Sequence, residues 1–288
     1  MTAGSALKGA RRAVLSVPAD EPRKVLKALA SAADEVVVDL EDAVSIDHKE
    51  LARLAVAGLG RRERGLLAVR VNAASSPWYD DDVAACATNA AVDTIVVPKA
   101  EDPHLLRDLA SRLDALESAC GRVAPLGLQA LIESPAGLHR SVDLAASTDR
   151  LVALVIGYAD LSASLGRHID SSWQFAQDAV LLAARLAGLA AVDGPLLSVA
   201  ADDALARAAR SAERNGFDGK WVIHPQQIEV VLQAFTPDAE AVGDAQDILA
   251  ALAEAARDGR GACEWRGRML DEAIAAQARR VLSRVGIQ

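Results

Sequence analysis

Carboxylates close three of the apolar runs in this chain: EVVVDLEDAV at 35–44, LGLQALIESPAG at 126–137 and LVALVIGYADLSASLG at 151–166. A desolvated carboxylate is costly unless it is paired or bound to a metal, so a buried strand gives no reason of its own to end in an acid. Acids recurring at strand ends describe a ring of oxygen ligands at one mouth of a parallel sheet, and such ligands suit a hard divalent cation. Arg70, at the end of AVRVN, adds a planar fork able to take a carboxylate in two parallel hydrogen bonds.

Glu133 and Asp160 are the candidate metal ligands, because Mg²⁺ takes one or two carboxylates and completes its shell with water and substrate oxygens. The plainer reading is that each caps the helix after its strand, and SPAG behind Glu133 does read as a helix start. Strand alternation puts Asp39 and Glu41 on one face, expected to be the interior, where either can hold Arg70 as an ion pair. Asp42 is then expected to cap the next segment. Lys99 in VVPKA is a structural partner for these acids before it is a Schiff-base lysine, since the acids would keep it protonated. His224 in VIHP is expected to hydrogen-bond a neighbouring loop, and the remaining histidines read as surface residues.

Short β-branched runs at 13–19, 35–41, 65–72, 94–100, 126–134, 151–160, 190–195 and 220–225 must position these groups. Between them lie segments with apolar residues at three- and four-residue spacing. Eight β-then-α units predict an α/β fold, a (β/α)8 TIM barrel over 11–236, with the active site at the C-terminal strand ends. The runner-up, a doubly wound open sheet, wants glycines at its first turn, and LSVPADEP has none. The strand starts read as mostly Ala, Gly or Leu. Residues 237–288 read as a helical extension: a helix, a turn-rich GACEWRG link and a final helix over RMLDEAIAAQARRVLSRV. It is expected to act as a lid or as an arm reaching a neighbouring subunit.

The chain has 288 residues, of which 51% are hydrophobic, enough for a large core. A formal net charge of −9 without a Lys/Arg cluster argues against a nucleic-acid partner. Three widely spaced cysteines, no secretory leader pattern and no 18-residue apolar run lead us to expect a cytoplasmic protein with reduced thiols and no membrane partner.

Several blocks, in order over residues 11–237, carry a resemblance: RRAVLSVPADEP, DEVVVDLEDAV, KELAR, VRVN, IVVPKAE, LIESPAGL, GYADLSASLG and GFDGKWVIHPQQI. Together they resemble the citrate lyase β-subunit family within the HpcH/HpaI aldolase superfamily. The resemblance implies a Mg²⁺-dependent lyase (Mn²⁺ a possible substitute) that cleaves citramalyl-, malyl- or citryl-CoA-type thioesters to an acyl-CoA and a 2-oxo acid. It places the metal on Glu133 and Asp160 and the substrate carboxylate on Arg70. Asp39 and Glu41 stand behind that arginine, and Arg12, Arg23 and Lys27 fall near the CoA phosphates. An acid from a neighbouring subunit's C-terminal segment falls on Asp271, in a homotrimer or hexamer. A thioesterase, a synthase or a 2-oxo-acid aldolase on the same metal site is the alternative. LSVP and IESPAG depart from the family's more usual LFVP and IET-A, but no departure removes a catalytic position.

Overall fold

The computed structural model describes residues 9–285. Strands β1 (Ala13–Pro18), β2 (Glu35–Asp39), β3 (Leu66–Arg70), β4 (Thr94–Val97), β5 (Gly127–Ile132), β6 (Leu151–Ile156), β7 (Ala190–Asp193) and β8 (Gly219–Val222) close in sequence order into a parallel barrel. Helices α1 (Pro22–Leu29), α2 (Lys49–Ala57), α3 (Tyr79–Thr88) and α4 (Pro103–Cys120) follow the first four strands. Two short helices, α5 (Pro135–His139) and α6 (Ser141–Ala145), follow β5, and α7 (Tyr158–Leu165) and α8 (Gln174–Ala187) follow β6. Then come α9 (Asp203–Asn215) and α10 (Gln227–Phe235). The fold is the expected (β/α)8 barrel. Its strands are near-continuous Val, Ile, Leu and Ala because both faces are buried, one by the barrel interior and the other by helices. The barrel shuts where β8 meets β1, at Gly219, whose missing Cβ would stand 1.7 Å from the Arg11 carbonyl oxygen.

Val14, Val37, Ala68, Val96, Leu131, Val155, Val192 and Trp221 form one buried cluster with a member from every strand, so this cluster is the barrel's interior. Alternation then sorts the other inward positions into layers. Glu35, Thr94 and Gln129 lie below the apolar layer, toward the strand starts. Asp39, Arg70 and Glu133 lie above it, toward the strand ends.

Three local expectations are corrected. The run at 151–160 is not all strand: β6 stops at Ile156, and Asp160 sits in the first turn of α7, where the helix dipole favours an acid. The segment 137–147 breaks at Arg140 into α5 and α6. Asp42 caps nothing, since Ser45 precedes the 3-10 turn at Ile46–His48. The strand starts are mostly Ala, Gly or Leu, as expected, with Glu35 and Thr94 the exceptions, and the buried Arg11 just precedes β1.

The chain divides between Leu232 and Gln233 into two compact units. The second contains α11 (Ala239–Arg257), a hairpin of β9 (Cys263–Trp265) and β10 (Arg268–Leu270), and α12 (Glu272–Arg284). The GACEWRG link is thus a β-hairpin, turned at Arg266 and Gly267 with φ of 47° and 75°. Ala245 on α11 packs with Ala278 and Leu282 on α12. Among the described residues no helix is long and apolar enough to cross a membrane.

Candidate active site

Parallel register makes Asp39 and Arg70 direct partners at the ends of β2 and β3. The guanidinium donates from Nε to Asp39 Oδ1 at 2.7 Å and from Nη2 to Oδ2 at 2.5 Å. Asp39 is fully buried and also accepts the backbone N–H groups of Glu41 and Ala43, which folds the DLEDAV loop over the strand end. The buried Lys49 ammonium closes the same loop from α2, donating to the carbonyls of Leu40 (2.7 Å) and Glu41 (2.6 Å). Burial alone would lower the Arg70 guanidinium, but Asp39 and then Glu41 outweigh it and raise it above its ordinary value. Arg70 is a fixed cation with its face toward the mouth.

Glu41 lies between two cations. Its Oε1 accepts from Lys99 Nζ at 2.6 Å, and its Oε2 stands 3.1 Å from Arg70 Nη1. The second contact is one of charge alone: no N–H is aligned with it, so Oε2 is a buried oxygen without a hydrogen bond. Glu133 follows β5 and is 4% exposed. Its Oε1 accepts the Lys99 backbone N–H at 2.7 Å. Burial, reinforced by the charges of Glu41 and Asp160, pushes the Glu133 carboxyl up to about 8. Asp160 approaches from α7, with Oδ2 3.5 Å from Lys99 Nζ. Asp39, Glu41, Glu133 and Asp160 therefore outnumber Arg70 and Lys99 at this mouth.

These residues fit a hard divalent cation. Among the described residues no three His, Cys, Asp or Glu side chains gather as a preformed metal cage. Two carboxylates completed by water and substrate oxygens are the pattern Mg²⁺ accepts. Neither acid is used up as a cap: Ser134 caps α5 by accepting from Gly137, and Gly157 is the residue before α7. Gly157 leaves the room, because a Cβ there would lie 2.6 Å from Glu133 Oε2. The Glu41 oxygen without a hydrogen bond leaves an acceptor at this mouth, and burial first, then the neighbouring acids, raises the Glu133 carboxyl.

The other candidates divide. Arg12 precedes β1, at the opposite end of the barrel, where it donates to Asp34 from Nε (2.8 Å) and Nη2 (3.0 Å). Arg12 thus takes part in an ion pair across the strand starts. Arg23 and Lys27 are exposed, four apart on α1, with Arg23 in the turn nearest the mouth. Asp271 belongs to the second unit and caps α12, accepting from the Ile274 N–H at 3.1 Å. His224 is exposed and accepts from the Gln226 N–H two residues on, a local turn contact.

A sequence model of the HpcH/HpaI aldolase/citrate lyase family matches residues 12–225. The chain belongs to that family. It is 35% identical to the L-malyl-CoA/β-methylmalyl-CoA lyase of Cereibacter sphaeroides, over 93% of this chain and 92% of that one. It is 32% identical to the citrate lyase β subunit of Leuconostoc mesenteroides, over 94% and 92%. Among solved structures it resembles the CitE protein of Mycobacterium tuberculosis in complex with magnesium, acetoacetate and coenzyme A, with a TM-score of 0.77 and 32% identity over 96% and 98% of the two chains. These relatives place this HpcH/HpaI family member among the carbon–carbon lyases.

Sequence reasoning passed over two supports of this lyase's mouth. One is Lys49, hidden in the helical KELAR block. The other is a buried network behind α7: Lys220 donates to Asp193 (2.6 Å) and to the Gly194 carbonyl, while the Tyr158 hydroxyl donates to the same aspartate. Gln177 adds a donor to Tyr158 at 2.8 Å. Tyr158 stands two residues before Asp160, so this network anchors the helix that presents that acid. An aspartate ending β7 and a lysine beginning β8 were the available signals.

Proposed function

We propose that this chain is a Mg²⁺-dependent acyl-CoA lyase. It cleaves a short 3-hydroxyacyl-CoA of the malyl, citramalyl or citryl type into an acyl-CoA and a 2-oxo acid. The observation that carries the reading is the pairing, at one mouth, of an Arg70 clamp with two cation-seeking acids. The relatives named for malyl-CoA and citrate cleavage, and the magnesium and coenzyme A bound to the CitE structure, support it.

In the reaction the substrate hydroxyl gives up its proton to solvent, from which the acid that protonates the enolate is restored, and becomes the carbonyl of the 2-oxo acid. The bond between its carbon and the α-carbon of the thioester breaks, and the departing thioester enolate takes a proton on that α-carbon. Arg70, held by Asp39 and Glu41, takes the substrate carboxylate in two hydrogen bonds and so fixes the oxo-acid end. Glu133 and Asp160 hold the cation, which when bound polarises the oxygens of the 2-oxo acid. Asp271, delivered by the C-terminal extension of a neighbouring copy, supplies the carbon proton and shields the enolate from water. Arg23 and Lys27 on α1 meet the CoA phosphates.

The test is release of acetyl-CoA from malyl-, citramalyl- and citryl-CoA, with Mg²⁺ and then with EDTA, on the wild type and Glu133→Ala. EDTA-sensitive cleavage of one substrate, lost in the variant, is the expected outcome and names the oxo acid. Free CoA in place of acetyl-CoA would make the enzyme a thioesterase. Asp271→Asn retaining full turnover would remove that acid from the chemistry.

A further inference from the structure

Lys99 has a φ of 48°, the left-handed region that a residue with a side chain occupies only where its surroundings hold it. Two consequences follow from that turn. The backbone N–H points at Glu133 Oε1, 2.7 Å away. The side chain folds back so that Nζ meets Glu41 Oε1 at 2.6 Å and Asp160 Oδ2 at 3.5 Å. One residue thus orients the first candidate metal ligand through its backbone and neutralises the second through its ammonium. The contacts are unequal. Glu41 is buried and close, whereas Asp160 is about a third exposed and a looser partner. A divalent cation held by Glu133 and Asp160 would share Asp160 with the ammonium, and like charges at such separations repel.

We propose that Lys99 is a built-in counter-cation that competes with the metal for Asp160. It holds the acids together before the metal arrives, gives up Asp160 to the incoming cation and keeps Glu41. Its presence lowers the affinity for the bare cation, so that tight loading awaits the oxygens of the substrate. This rests on the cation role proposed for Glu133 and Asp160.

The experiment titrates Mn²⁺ into the metal-free full chain, following free Mn²⁺ by electron paramagnetic resonance, with melting curves at zero and saturating Mn²⁺. Lys99→Met, Lys99→Arg and Glu133→Gln are compared with the wild type. Lys99→Asn is the second neutral variant, since asparagine tolerates the left-handed turn. The neutral variants should bind Mn²⁺ about tenfold more tightly, the scale on which one nearby charge shifts a charged equilibrium. Without metal they should melt lower, and they should gain more from Mn²⁺ than the wild type. Lys99→Arg should stay near the wild type. Equal or weaker binding in both neutral variants, with Glu133→Gln abolishing it, overturns the counter-cation role and leaves the cation site standing. Absence of Mn²⁺ binding in the wild type overturns both.

Discussion

The two ends of the barrel are built from the same kinds of residue to opposite effect. At the strand starts, Glu35 accepts from Arg11 Nε (3.1 Å), Thr94 (3.2 Å) and Gln129 (2.8 Å), all four residues buried. Beside it Asp34 takes both Nε and Nη2 of Arg12. Two acids face two arginines, so the charges at this end are matched one to one, although the amide oxygen of Gln129 is buried without a hydrogen bond. At the strand ends, acids outnumber cations, one buried carboxylate oxygen has no hydrogen bond and Glu133 is pushed up to about 8. The first arrangement is what charge looks like when its task is to plug a barrel. The second is an uneven charge balance at the proposed cation site.

Substitutions at the two ends should therefore separate stability from activity. The largest expected effect is Glu133→Gln, a loss of about a thousandfold in turnover, corresponding to roughly 4 kcal/mol of transition-state stabilisation. Its metal-free fold should not suffer. A carboxyl whose folded value is raised contributes stability below its unfolded value of 4.5, and that contribution is lost as pH rises through about 8. Metal-free wild type should thus melt progressively lower from pH 5 to pH 8 by calorimetry, while Glu133→Gln shows a smaller decline. Glu35→Ala is the mirror case. Stripping Arg11 of its carboxylate should cost about 3–5 kcal/mol in urea unfolding, with the turnover of the folded fraction intact. Unchanged stability there would erase the contrast between the ends.

Arg70→Lys keeps the charge but loses the paired hydrogen bonds to Asp39, and should lower kcat/KM by about 10- to 100-fold, the worth of one charge-assisted hydrogen bond. The smallest effect is expected at Gly157→Ala, where the new methyl meets Glu133 Oε2. Overpacking of this kind costs about 1–3 kcal/mol. It should appear as weaker Mn²⁺ binding in the same titration, with a modest drop in melting temperature.

The barrel was legible because its strands are continuous apolar runs and its helices keep their three- and four-residue spacing, both local properties of the chain. The candidate acids were legible for a related reason: a carboxylate at the end of such a run has no local explanation. Lys99 was legible as a partner of these acids, but not as the residue that ties Glu133 to Asp160, because a left-handed turn at a lysine has no composition signal. Glu35 and Gln129 could have been noticed as polar breaks in apolar strands. Their meaning depends on Arg11 and Thr94, which only barrel closure brings to them.

The order of strands, the identity of the acids and arginine, and the side of each strand they occupy are written in the sequence, because they follow from periodicity and residue type. Which charge meets which is not. Arg12 faces Asp34 instead of the mouth because it precedes β1, and Arg70 meets Asp39 because the parallel register of β2 and β3 makes them partners. Asp160 reaches the site from a helix because β6 ends four residues earlier. Pairing of this kind is decided across gaps of tens of residues by closure of the barrel, and only the tertiary structure closes it.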